Sequence, residues 1–127
     1  FELSLIFPAF SIGLLSVGVL NANNMRDRVN DKQYGKTTIA VRLGAEKAMF
    51  YQMTLVITPI ILTAAYGFIY DSVASIVLSV LMLIPICYHL KTVFQKQNEK
   101  NLDPELKKIT LLTFFYAISF GLLLIAF

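Results

Sequence analysis

Asp27 and Asp31 stand four residues apart in the stretch NANNMRDRVNDKQYGKTTIAVRLG, residues 21 to 44. Arg26, Arg28, Lys32 and Lys36 flank them, and Asn23 and Asn24 come just before. On a helix, positions 23, 27 and 31 share one face, because residues four apart are neighbours about 5–6 Å away. Asn24 and Arg28 line the adjacent stripe. Two carboxylates on successive turns repel unless a positive group lies between them. Mg²⁺ is such a group: hard, oxygen-seeking, and typically held by one or two carboxylates together with substrate phosphates. The surrounding cations would hold the rest of a diphosphate, Arg by bidentate hydrogen bonds and Lys as a point charge. Gly35 then ends the helix and lets the chain turn back. The plainer alternative is a solvated pair of carboxylates neutralised by its Arg and Lys neighbours.

What precedes and follows this segment decides where it sits. Hydrophobic residues make up 57% of the 127-residue chain and charged residues only 15%, with a mean hydropathy of +0.68. That composition belongs to the bilayer class, not to a soluble domain. Four runs are long and apolar enough to span, at roughly 20 residues each: 3–25, 48–70, 72–90 and 109–127. Each must be a helix, since no other open segment satisfies its backbone in lipid. The expected fold is therefore all-α, an integral membrane helical bundle forming one transmembrane domain over 1–127. Pro8, Pro59 and Pro85 read as kinks within spans. Ser11, Gly13, Ser16 and Gly18 give the first span a small-residue surface for close packing.

The connections are unequal. Asp71 alone separates the second and third spans, which predicts a tight hairpin. Every Lys and Arg falls in the other two connections, 26–47 and 91–108. With four spans these lie on one side, and the positive-inside rule assigns that side to the cytoplasm of a multi-pass cell-membrane protein. Tyr66 and Tyr70 then belong to an interfacial belt at the opposite face. Lys91 to Lys100 reads as an extension of the third helix, and Asp103-Pro104-Glu105 as a helix start with Asp103 as N-cap.

The remaining candidates are weaker. The net charge of +3 is no nucleic-acid signature, because the cations sit beside spans. The single Cys87 excludes a disulfide framework and reads as a small buried hydrophobe. His89 is either a general base or an interfacial histidine at a helix end, the second being the simpler. Phe114, Phe115, Tyr116 and Phe120 would shield a carbocation, or merely pack. Met25, Met49, Met53 and Met82 read as filler. The first apolar run has no basic flank or cleavage pattern of a signal peptide. The chain begins on Phe1, not Met, and is expected to lack an N-terminal part.

The motif N-N-x-R-D-x-x-x-D-x-x-x-G-K-x-T-x-A-V-R-L-G, Asn23 to Gly44, resembles the second aspartate-rich motif of the UbiA superfamily of intramembrane prenyltransferases. Its form is most similar to the branch acting on 1,4-dihydroxy-2-naphthoate in menaquinone synthesis. The resemblance covers the whole chain as the family's C-terminal part. It implies a bundle of nine spans, four of them here, in which two aspartate-rich motifs bind Mg²⁺ and a polyprenyl diphosphate. It carries Asp27 and Asp31 over as Mg²⁺ ligands and catalytic residues, with Asn23, Asn24, Arg28, Lys36 and Arg42 as candidates for the diphosphate. It implies transfer of the prenyl group to an aromatic acceptor. The family's first motif, N-D-x-x-D-x-x-x-D, is not in this sequence, so the fragment alone is expected to be inactive. The rival expectation, from a different class, is a four-span transporter or membrane anchor.

Overall fold

A computed structural model of the chain describes residues 2–96 and 102–126. A short 3-10 turn, Leu3–Leu5, leads into four helices: α1 (Ile6–Gln33), α2 (Ile39–Ile69), α3 (Val73–Gln95) and α4 (Asp103–Ala126). No strand occurs among the described residues. Each helix is long and apolar enough to cross a membrane. α1 packs against α2 and α4, and α3 closes the ring by packing against the same two.

The helices outrun the apolar runs at the polar end. α1 continues past Met25 to Gln33, so the acidic pair does lie on a single helix. Gly35, at φ +72°, turns the chain in the left-handed region that glycine adopts without strain. Thr38 caps the next helix, its Oγ1 accepting from the Val41 N–H at 3.3 Å. α2 therefore starts nine residues before the expected span, although Gly44, at φ +78°, breaks it after one turn. Pro8, Pro59 and Pro85 leave their helices continuous. α3 carries the expected extension to Gln95, while residues 97–101 of the second connection lie outside the described residues. α4 begins at Asp103 itself, one residue earlier than an N-cap there would place it.

In hydrocarbon, packing and hydrogen bonds rather than water expulsion hold helices together. The main core is Leu15, Val56, Ile60, Ile86, Ile109, Tyr116 and Phe120. Of the small-residue surface, only Ser11 and Gly18 face α2: Ser11 Oγ donates to the Pro59 carbonyl, and a Cβ on Gly18 would meet Val56 at 3.3 Å. Gly13 and Ser16 are exposed. Phe114 and Phe115 point outward while Tyr116 and Phe120 are buried, so these rings do not gather around one site. Cys87 is exposed, not buried, because both faces of a spanning helix are apolar and hydropathy does not separate them. Met25, Met49 and Met82 fill the core as expected.

Candidate functional site

α1 presents the acidic turn, and each carboxylate meets a different cation. Arg26 grips Asp27 with both prongs, Nε to Oδ1 at 2.8 Å and Nη2 to Oδ2 at 2.9 Å. The same guanidinium donates to Asn23 Oδ1 at 2.9 Å and to Asp103 Oδ1 of α4 at 3.1 Å. Asp31 is buried, its side chain only 10% exposed, with Lys36 Nζ 3.3 Å from Oδ1. The Lys36 N–H also donates to the Asp31 carbonyl at 2.8 Å, closing the turn around Gly35.

The second oxygen of Asp31, Oδ2, is buried with no hydrogen-bond partner. Leaving such an acceptor unsatisfied costs about 1–3 kcal/mol, more when it is charged. An incoming hard cation or one of its waters would satisfy it. On that ground Asp31 fits a Mg²⁺ ligand. Asp27 is partly exposed and each of its oxygens keeps a second lone pair beside its Arg26 bond, so it can ligate too, in competition with that guanidinium. No cluster of three or more His, Cys, Asp or Glu gathers among the described residues. The chain thus offers a partial coordination set, of the kind Mg²⁺ completes with phosphate oxygens and water.

The structure brings together Asn23, Asp27, Asp31 and Lys36. Arg28 is turned to a different face of α1, where it lines a half-open cavity of about 330 Å³ with Met25, Met49, Phe50, Phe94 and Lys96. Arg42 stands exposed in the first turn of α2, and Asn24 is half-buried.

The sequence reading named Arg26, Asp103 and His89 without their partners, and singled out neither Asn21 nor Gln52. Arg26 is the cation that holds Asp27, and Asp103 joins it from α4. His89 is not at a helix end. It lies within α3, 1% exposed, between Gln52 of α2 and Glu105 of α4. Asn21, two residues before the recognised amides, is also buried and bonded to Gln52. One signal was available: a polar residue within an apolar span is costly unless paired, so Gln52 and His89 called for partners.

An all-helical bundle whose spans carry an acidic, cation-flanked turn at one end defines an integral membrane protein with a candidate phosphate and divalent-cation site. The chain belongs to the UbiA prenyltransferase family, whose model matches residues 1–116. It is 34% identical over 123 residues to a 1,4-dihydroxy-2-naphthoate octaprenyltransferase of Haemophilus influenzae, covering 93% of this chain and 38% of that protein. The enzyme of the same name from Escherichia coli is 41% identical over 64 residues, 50% of this chain and 21% of its own length. The UbiA prenyltransferase domain-containing protein 1 of Mus musculus is 28% identical over 123 residues, 94% of this chain and 35% of its own. No solved structure matches significantly. The chain spans less than two fifths of the length of these relatives.

Proposed function

We propose that this chain carries one half of the donor site of an enzyme that transfers a polyprenyl group from its diphosphate to an aromatic acceptor, 1,4-dihydroxy-2-naphthoate or a close analogue. The family and the printed names of its bacterial relatives support the reaction class. The observation that carries the site is the buried Asp31, with Lys36 on one oxygen and no partner on the other. Asp31 and Asp27 would hold Mg²⁺ against the donor diphosphate, and Lys36 would lie against a diphosphate oxygen. Asn23, Asn24, Arg28 and Arg42 remain candidates for the same anion, the last two from further away. When bound, the metal supplies charge neutralisation on the leaving diphosphate, worth several kcal/mol.

The allylic C–O bond breaks and its electron pair leaves with the diphosphate. A ring carbon of the acceptor attacks the allylic cation. Loss of CO₂ from a naphthoate, or of a proton from another arene, restores aromaticity. The apolar bundle excludes the water that would otherwise capture the cation, and the prenyl tail extends into the bilayer. The family's first aspartate-rich motif would come from the rest of the protein, and without it this segment is expected to be inactive alone. The polar ends of the helices face the cytoplasm. The test is direct: the full-length protein, in membranes, is given a polyprenyl diphosphate and 1,4-dihydroxy-2-naphthoate. Mg²⁺-dependent formation of a prenylated naphthoquinol is expected. An inert protein whose acidic turn binds no diphosphate would return the segment to an ion-paired anchor.

A further inference from the structure

Four buried polar side chains, one from each helix, form a single hydrogen-bonded line on the membrane side of the acidic turn. Asn21 Nδ2 of α1 lies 3.1 Å from the Ala48 carbonyl and 2.9 Å from Gln52 Oε1, both of α2. Gln52 Nε2 meets His89 Nε2 of α3 at 3.3 Å. His89 Nδ1 meets Glu105 Oε2 of α4 at 3.3 Å. Lys108 Nζ donates to Glu105 Oε1 at 2.7 Å and lies 4.9 Å over the Tyr88 ring. Asn21, Gln52, His89 and Glu105 are 2%, 0%, 1% and 1% exposed.

One backbone group sets the direction of the whole line. The Ala48 carbonyl can only accept, so the nitrogen of Asn21 must face it. Gln52 then turns its oxygen to Asn21 and its nitrogen to His89. An amide nitrogen only donates, so His89 Nε2 accepts, and a neutral imidazole carries its proton on Nδ1. That proton is donated to Glu105, whose charge Lys108 balances. Each donor points toward the first turn of α4.

The same turn reaches the acidic segment from its other side, where Asp103 Oδ1 accepts from the Arg26 that grips Asp27 and Asn23. Asn21 and Asp27 are six residues apart on α1, about 9 Å along the axis at 1.5 Å per residue. The two ties therefore bracket the approach to the acidic turn.

We propose that the first turn of α4 is the positioning element of the acidic turn: Asp103 acts on Asp27 through Arg26, and Glu105 acts on α1 through His89, Gln52 and Asn21. The inference rests on reading Asp27 and Asp31 as part of the donor site. These are positioning residues, since the line from Asn21 to Glu105 is sealed from any ligand. Without a hydrophobic drive between helices in lipid, such bonds and close packing set where α1 sits relative to its neighbours.

The test uses the full-length enzyme. Asp103→Asn is the first variant, because its side chain is 70% exposed and the core does not depend on it. Glu105→Gln is the second. Mn²⁺ titrated by electron paramagnetic resonance with inorganic diphosphate present should bind about tenfold more weakly in each, the usual scale for losing a group that orients a metal ligand. The KM for the prenyl donor should rise by a similar factor, while the KM for the acceptor stays within about twofold. Imidazole ¹⁵N shifts of His89 should show the neutral ring protonated on Nδ1 in the wild type, with that preference lost in Glu105→Gln. Unchanged Mn²⁺ affinity in Asp103→Asn would overturn the proposal. So would an equal rise in both KM values with a lowered melting temperature, or a His89 protonated on Nε2. Failure of the prenyl-transfer reading looks different: the wild type itself would then show no donor-dependent turnover, and the Mn²⁺ and tautomer measurements would still decide the positioning role.

Discussion

Lys36 folds back across Gly35 onto Asp31, placing its Nζ 3.3 Å from Oδ1 while Oδ2 remains buried and unpartnered. The lysine is five residues further along the chain, beyond the end of α1, so a helix alone would not bring it there. The positive φ of Gly35 does.

Gly35→Ala isolates that turn. A Cβ there would meet nothing within 4 Å, so the only cost is the left-handed backbone, about 1–2 kcal/mol. In the full-length enzyme we expect a raised KM for the donor and an unchanged KM for the acceptor, measured by steady-state kinetics. An equal effect on both would mean that the turn does not serve the donor.

Asp31→Asn and Asp27→Asn each remove one charge and keep the shape. Losing one such electrostatic group typically lowers turnover roughly 10²–10³-fold. The two variants should differ in one respect. Asp27→Asn also breaks the fork with Arg26 and so loosens Asp103, whereas Asp31→Asn disturbs only Lys36. Melting temperatures of the purified variants separate the two, with the larger drop expected for Asp27→Asn.

Much of this arrangement was legible in the sequence. The four spans, the continuation of α1 past Met25 and the turn at Gly35 follow from apolar run lengths, i to i+4 spacing and a glycine. The line from Asn21 to Glu105 was not legible. Spacing reveals which residues share a face of one helix, but not which face meets which neighbour, and this line draws one residue from each of four helices. The early start of α2 was hidden differently. Thr38 as cap and Gly44 as break enclose one helical turn inside a stretch whose polarity reads as a connector. Arg28 and Arg42 looked equivalent to Lys36 as neighbouring cations, yet the turn brings only Lys36 onto the pair.

The orientation is tested with single cysteines at Gln33 and Gln95, both exposed and at the polar ends of α1 and α3, in a background with the exposed Cys87 replaced. Both should react with an impermeant maleimide only from the cytoplasmic side. Labelling from outside would reverse the topology.

Thr63 Oγ1 and Tyr116 Oη lie 2.5 Å apart in the core between α2 and α4. Thr63→Val leaves the buried phenol with Ser11 as its remaining hydroxyl partner and should destabilise the bundle by about 0.6–1.7 kcal/mol, the range for hydrogen bonds within membranes. Adding Tyr116→Phe should recover part of that loss, because the buried hydroxyl that lost a partner is then gone. A double-mutant cycle by reversible unfolding in detergent measures it. Strict additivity would mean that the two hydroxyls do not interact.

The most direct measurement is the coupling between metal and donor. If Asp31 shares its cation with a donor diphosphate, Mg²⁺ and donor must raise each other's affinity by the same factor. Calorimetry on the full-length protein would titrate Mg²⁺ with and without a non-hydrolysable prenyl diphosphate analogue. The expected result is weak Mg²⁺ binding alone, binding at least about tenfold tighter with the analogue, and loss of that difference in Asp31→Asn. Equal Mg²⁺ affinity in both conditions would contradict a shared site and leave Asp31 as the ion-pair partner of Lys36.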